Sequence, residues 1–340
     1  MKNFAWAPAR SLAEAAAAAA TLVADAMVAP ADAAASIVKA GGVDVVDLMK
    51  EGLIAPAKIV SLRETPGLDA IEAGADGSLR IGAMVTLARL ADDAGARKNF
   101  PALTDAVAGS ASPQIRNVAT LGGNLLQRPR CWYFRAADYH CLRKGGGHCF
   151  AIRGENRYHA VFDNRLCAIV HPSSAATALV ALGASIELVD AEGGTREVRL
   201  EDFFVSPERD VQRENDLRPH EILTTVKLPA LPASARMAHV KIAEKASFDW
   251  PLADVAALLD VGADGRCASA SIVLGAAAPT PHRAKSAEGL LVGRRIDEGA
   301  AEAAGRAAID GAQPLAGNAY KLPLFETMVR RAILKAVAAG

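Results

Sequence analysis

The chain has 340 residues with 38 Lys+Arg against 38 Asp+Glu, so its formal charge is zero. That balance speaks against nucleic acid or an anionic membrane surface as partner, because both select a basic excess. Hydrophobic residues make 51% and charged ones 22%, which excludes a disordered chain, and the length predicts two or three domains.

A short strand is predicted around Phe4 and Trp6, then an alanine-rich helix from Ser11 toward Pro30. Glu14 and Asp25 interrupt this stretch and alanine is weakly lipophilic, so it reads as a surface helix, not a spanning or secretory segment. A cytoplasmic location is expected on that reading, the alternative being periplasmic export of a folded complex beside a signal-bearing partner. An apolar strand at Ser36–Val38 leads into Ala40-Gly41-Gly42, and Val43–Lys50 has helical spacing. Strands are predicted at Lys58–Leu62 and Leu79–Ile81, and helices at Leu87–Ala96 and Pro101–Gly109.

From Ala111 to Cys167 hydrophobic periodicity fades while Gly, Arg, Cys and aromatic residues rise. A structureless run of that length in a compact protein needs something other than an apolar core to order it. A strand is then predicted at Ala168–His171, a helix at Ser174–Leu182 and a strand at Ser185–Leu188. Pro207–Pro219 reads as an exposed polar loop, Glu221–Leu228 as a strand that closes a domain, and Pro229-Ala230-Leu231-Pro232 as a linker. Val240–Lys245, Val255–Val261 and Ala268–Leu274 read as antiparallel strands, and Ala284–Leu291 and Leu324–Val337 as helices.

Gly41 and Gly42 can adopt positive φ and let a ligand approach the backbone. The helix start that follows offers unpaired N–H groups to an anion, for which pyrophosphate is the natural guest. Taken alone the turn is more often plain structure. It is not the G-x-G-x-x-G fingerprint either, so a nicotinamide-binding fold has no support. Thr120-Leu121-Gly122-Gly123-Asn124 offers a hydroxyl, two bare glycines and a carboxamide within one turn. Its plain reading is a β-turn, and the pair of turns carries more weight than either.

Cys131, Cys141, Cys149 and Cys167 fall in one stretch, with Cys267 apart and read as buried. Thiolates around a metal are favoured over disulfides, since a chain this large needs no staples. The spacing C-x9-C-x7-C-x17-C has no C-x2-C knuckle, which lowers the zinc-ribbon reading. Four thiolates suit a [4Fe–4S] cluster, with structural zinc and unmetallated core thiols as the other possibilities. Arg128, Arg130, Arg135, Arg143 and Lys144 contribute to a local cationic excess that would offset an anionic cluster. His140, His148 and His159 read as neighbours of the thiols. His171 could face a ligand or cap a turn; Phe248 and Trp250 could cover a flat ring, with core packing as the default for aromatics.

Ala40-Gly41-Gly42-Val43-Asp44 with Asp47-Leu48-Met49-Lys50, and Gln114–Asn117 with Ala119–Leu125, resemble the two FAD-binding loops of the flavoprotein subunits of molybdenum hydroxylases. These include xanthine dehydrogenase, carbon monoxide dehydrogenase and aldehyde oxidoreductases. Gln127–Phe134 and the three later cysteines resemble the subgroup with an extra [4Fe–4S] cluster, seen in periplasmic-type aldehyde oxidoreductases and 4-hydroxybenzoyl-CoA reductase. Gly154–Ala160 and Gly317–Lys321 look like that subgroup too.

The resemblance implies an α+β chain with a vanillyl-alcohol-oxidase-type (PCMH) FAD-binding domain in two subdomains. These are 1–60 and 61–229, with the cluster insertion at 125–170, followed by a small C-terminal domain with an antiparallel sheet at 233–340. It implies that Ile37, Val38, Lys39, Ala40, Gly41, Gly42, Val43, Asp44 and Val45 wrap the FAD diphosphate. Thr120, Gly123 and Asn124 would contact the flavin nucleotide, Ile222 and Lys241 would add contacts, and Cys131, Cys141, Cys149 and Cys167 would hold the cluster. The implied partners are a molybdopterin-binding large subunit and a [2Fe–2S] small subunit, in a heterotrimer or a dimer of heterotrimers. The implied activity is electron transfer from [2Fe–2S] clusters to FAD and an external acceptor, with no catalytic acid or base on this chain.

The rivals are a 4-hydroxybenzoyl-CoA reductase-like complex, an autonomous flavin oxidase and a zinc-stabilised assembly scaffold. Four departures from the family pattern stand out. Val43 replaces a usual Thr, Lys39 an apolar residue, Ser174 the Asp of His-Pro-Ser-Asp, and Ala243 a common Arg.

Overall fold

The computed structural model describes residues 1–29, 34–245 and 248–338. Three sheets organise it. The first is parallel, with Lys58–Ser61 between Ala5–Pro8 and Ser36–Lys39. Parallel neighbours need a crossover, and the helix Val43–Lys50 supplies one between Ser36–Lys39 and Lys58–Ser61. Leu48 and Met49 of that helix pack on Ile37 and Ile59 of the two strands, all buried.

The alanine run is two helices, not one. The Ser11 hydroxyl caps Leu12–Ala18 by accepting the Glu14 N–H at 3.2 Å, and the chain leaves helix at Ala19 before restarting at Val23–Val28. The end of the predicted helix, Pro30, lies outside the described residues.

The second sheet is antiparallel, in the order Ile71–Ala73, Leu79–Gly82, Ile222–Leu228, Ser185–Val189, Thr195–Arg199. Helices Leu87–Asp92, Pro101–Ala108 and Ser174–Ala181 bury their apolar residues in one cluster with it. The single helix predicted at Leu87–Ala96 breaks because the Asp93 carboxylate accepts the Ala96 N–H at 2.8 Å and starts a second helix, Ala94–Asn99. The strand predicted at Ala168–His171 is absent. Its residues make single bonds to two different segments, Ala160 N–H to the Ala168 carbonyl and His171 N–H to the Ala278 carbonyl, where a strand needs a ladder.

The third sheet, also antiparallel, runs His282–Arg283, Cys267–Gly275, Ala253–Val261, Ala235–Ile242. Its last strand starts at Ala235 and ends before the predicted Lys245. The predicted linker at Pro229–Pro232 connects the second sheet to it. Helices Lys285–Leu291 and Lys321–Ala338 pack on this sheet, and Glu298–Ala307 packs on those two helices. Ala256 and Val273 join the cluster of the second sheet, so the two layers share apolar contacts. No helix among the described residues is long and apolar enough to cross a membrane.

Candidate functional site

The first glycine turn is a narrow cradle. Gly42 sits at φ 87° and immediately precedes the helix Val43–Lys50, so the N–H groups of Val43, Asp44 and Val45 have no intrahelical acceptor. A Cβ at Gly41 would run into the Val118 carbonyl, and one at Gly123 would come within 3.7 Å of the Ala40 Cβ. The two glycine turns are therefore pressed together into one wall. They border a cavity of about 490 Å³, within the range of roughly 300–1,000 Å³ typical of cofactor sites.

Ile37, Val38, Ala40, Gly41, Gly42, Val43, Asp44, Val45, Thr120, Gly123, Asn124, Ile222 and Lys241 all line this cavity. Lys39 does not. Its ammonium donates to the Ala40 carbonyl at 3.2 Å and lies 5.3 Å from the Trp6 ring centre. Burial pulls its pKa below the usual lysine value, with help from Arg63. The Asp44 carboxylate would oppose a diphosphate, but Arg130 at 2.9 Å and Arg135 at 2.6 Å neutralise it.

The second turn contributes differently from expectation. Its N–H groups are already used: Leu121 and Gly122 donate to the Val85 and Ala83 carbonyls, and Gly123 to Thr120 Oγ1. Ser173 Oγ donates to Asn124 Oδ1 at 2.5 Å, which leaves the Asn124 amide nitrogen as the free donor. Ser174, buried, lines the cavity where the family pattern has Asp. The Lys241 ammonium ties two cavity loops together through the Gly109 and Asp249 carbonyls at 3.0 and 2.7 Å.

Other lining residues were not singled out by sequence. Arg213, Glu214, Asn215 and Leu217 come from the 207–219 loop, which is not simply exposed, since Glu214 is buried. Phe248 and Trp250 are not core residues. Both are exposed, both line the cavity, and the Arg130 guanidinium lies 4.9 Å from the Trp250 ring centre.

Beside this site Cys131, Cys141, Cys149 and Cys167 line one small cavity with Arg143 and His159, and all are free thiols. Burial pushes the Cys131 thiol up to about 12. Cys167 is pulled below the usual thiol value by a hydrogen bond with Cys149 and by the Arg143 guanidinium. His159 Nε2 lies 3.2 Å from Cys131 Sγ, and burial lowers the imidazole pKa to about 4, so it is neutral at neutral pH. Among the described residues no three His, Cys, Asp or Glu side chains are arranged to hold a single metal ion. The four thiols nevertheless share one cavity, and buried Arg143, which also lines it, keeps Nη2 without a partner.

Comparison with known proteins finds two matched regions. Residues 2–231 match the FAD binding domain in molybdopterin dehydrogenase, and residues 238–336 match the CO dehydrogenase flavoprotein C-terminal domain. The chain is 34% identical over 301 residues to the aldehyde oxidoreductase FAD-binding subunit PaoB of Escherichia coli, covering 88% of this chain and 91% of that one. It is 28% identical over 326 residues to a putative xanthine dehydrogenase FAD-binding subunit of the same organism, covering 94% and 95%.

Among solved structures, quinoline 2-oxidoreductase from Pseudomonas putida 86 superposes with a TM-score of 0.73 at 27% identity, over 100% of this chain and 99% of that one. Carbon monoxide dehydrogenase from Hydrogenophaga pseudoflava shares the fold at a TM-score of 0.74 and 23% identity, over 99% and 98%. The paired glycine turns, the cavity they border and these matches lead to one conclusion: the chain belongs to the FAD-binding flavoprotein subunits of the molybdenum hydroxylases.

Proposed function

We propose that this chain is the electron-transfer flavoprotein subunit of a molybdenum-dependent aldehyde oxidoreductase-type complex, with FAD in the large cavity and a [4Fe–4S] cluster at the four cysteines. The observation that carries the flavin reading is that every predicted FAD contact except Lys39 borders one cavity. The diphosphate belongs at the Gly41–Val45 helix start, where backbone donors are unspent. We assign FAD binding to residues 1–60 and 61–229, with 233–340 as the C-terminal domain.

Bound FAD exchanges electrons singly with iron–sulfur centres and in pairs with other acceptors. The chain's own residues position it. Asn124 and Thr120 offer polar contacts, Lys241 fixes the loops at the cavity wall, and Trp250 and Phe248 cover part of the opening. The partners on this reading are a molybdopterin-binding large subunit, where substrate is oxidised, a [2Fe–2S] small subunit that delivers electrons, and an external acceptor. The identity to an aldehyde oxidoreductase subunit favours an aldehyde as that substrate.

A [4Fe–4S] cluster accounts for the cysteine cavity better than zinc. A zinc ion with Zn–S bonds of about 2.3 Å would draw its sulfurs closer together than a cubane does, and no single-ion geometry is formed among the described residues. The cluster is also anionic, which suits the buried excess of arginine.

Anaerobic purification of the complex followed by a visible spectrum, FAD extraction, and iron and acid-labile sulfide analysis tests the whole reading. About one FAD, and about four irons beyond those of the [2Fe–2S] subunit, are expected per copy of this chain. No FAD, or zinc in place of those four irons, would overturn it. Turnover of an aldehyde by the isolated chain, without a molybdenum subunit, would show instead an autonomous flavin oxidase.

A further inference from the structure

Three buried charged side chains run from one cavity to the other. Arg128 and Glu214 line the large cavity, while Arg143 and Cys167 line the cysteine cavity. Glu214 holds both arginines. Its Oε2 lies 2.8 Å from Arg128 Nε, and its Oε1 accepts from Arg143 Nη1 at 2.6 Å and from Arg128 Nη2 at 3.1 Å. Arg143 Nε in turn donates to Cys167 Sγ at 3.5 Å. At the other end the Arg128 N–H donates to Asp44 Oδ2 at 2.9 Å, in the first turn of the helix that follows Gly42. The three side chains are 4%, 6% and 1% exposed.

Two guanidiniums against one carboxylate leave a net positive charge in the interior. An uncompensated buried charge is costly, so it calls for anions at its ends. Arg143 Nη2 and Arg128 Nη1 are both buried without a hydrogen-bond partner. A surface ion pair would be screened by water, but these three side chains are not. Reduction adds negative charge to whichever group accepts the electron, and a nearby fixed positive charge favours the reduced form.

We propose that Arg128–Glu214–Arg143 is a positioning and charge-setting triad that ties the two sites, so that altering its charge moves the reduction potentials of both redox groups. This rests on the cofactor reading above. The signs follow from the geometry. Arg143→Gln removes a positive charge at the cysteine end and lowers the cluster potential. Arg128→Gln lowers the flavin potential. Glu214→Gln removes the only carboxylate of the triad and raises both.

The test is a potentiometric titration of the purified holo-complex, with electron paramagnetic resonance reading the cluster and visible absorption reading the flavin. Arg143→Gln is expected to disfavour cluster reduction by about tenfold, which is about 59 mV for one electron. Glu214→Gln is expected to shift both groups the opposite way. Arg143→Lys keeps the charge and is expected to stay within about twofold of wild type, so it serves if a neutral variant does not fold.

Unmoved potentials, or Arg143→Gln and Glu214→Gln shifting in the same direction as a general loosening would, overturn the proposal. So does a tenfold shift in Arg143→Lys. Wild-type complex with no iron and sulfide beyond those of its [2Fe–2S] subunit overturns the cofactor reading itself. Wild-type protein holding both groups, with potentials indifferent to the triad, overturns only the link.

Discussion

At the flavin cavity a strand of the parallel sheet ends, a left-handed glycine turns the chain, and a helix begins. At the cysteine cavity nothing similar exists: between 126 and 173 the described chain has no strand and three helical pieces of about one turn each, Trp132–Arg135, Leu142–Lys144 and Phe150–Ile152. The first site takes its shape from apolar packing, with Ile37, Leu48 and Ile59 directly behind the turn. The second joins that same cluster through Phe134 and Cys141 and adds buried ions and hydrogen bonds, with Arg135 on Asp44 and Asp47, Arg143 on Glu214, and Lys144 on the Ala136 carbonyl. Packing tolerates an empty cofactor site, whereas a framework of buried cations asks for an anion. The two regions should therefore respond differently to the loss of their cofactors.

The largest effect is expected from the double change Cys141→Ser and Cys149→Ser. The iron and acid-labile sulfide beyond those of the [2Fe–2S] subunit should be lost almost completely and the 131–167 segment should become open to limited proteolysis, while FAD stays bound. FAD leaving with the iron would break the contrast, because both sites would then be one unit.

Gly41→Ala comes next. Its methyl group would press on the Val118 carbonyl and force the two glycine turns apart. FAD affinity should fall at least about tenfold, or about 1.4 kcal/mol, with iron content unchanged. Titration of the apo-protein with FAD checks this.

Lys321 sharpens the contrast at the floor of the cysteine segment. It is fully buried, and its ammonium donates to the His159 carbonyl at 3.2 Å and the Ala276 carbonyl at 2.5 Å. Burial pulls its pKa from 10.5 down to about 7, against a smaller upward pull from Asp254. Between those two values the unfolded chain binds more protons than the folded one, so this lysine makes stability rise with pH across that window. The slope is at most about 1.4 kcal/mol per pH unit. Denaturant midpoints measured from pH 7 to 10 should rise accordingly, and Lys321→Met should flatten the rise.

The smallest effect belongs to Ser174→Asp, which restores the family residue at the first position of the helix Ser174–Ala181 on the cavity wall. A carboxylate there gains from the helix start by about 0.5 kcal/mol, and FAD binding should tighten two- to threefold at most. Weaker binding would mean that Ser174 is fitted to this cavity as it stands.

The elements that border the cavity proposed for FAD were readable from sequence because they are local. A glycine pair followed by helical spacing defines Val43–Lys50 to the residue. The Thr120 turn was readable as a turn, but not that Val85 and Ala83 consume its donors, since those partners lie far away in the chain. Ile71–Ala73 and Thr195–Arg199 escaped notice as edge strands with charged residues and little apolar alternation. Glu298–Ala307 is so rich in alanine that its buried stripe is faint.

Glu214 had no sequence mark at all. Its role comes from two arginines, 86 and 71 positions away, that meet it only in the folded chain. Composition pointed to surplus cations around the cysteines, but it could not identify which of them are buried.

Trp6, Trp132 and Trp250 are the three tryptophans of the chain, and among the described residues Trp250 alone lines the large cavity. Its indole is half open to water, so the emission of this one fluorophore doubles as an optical gauge of filling. A flavin arriving against the ring would quench it by energy transfer. Rapid mixing of apo-protein with FAD would then time the loading of the cofactor with no dye or label attached.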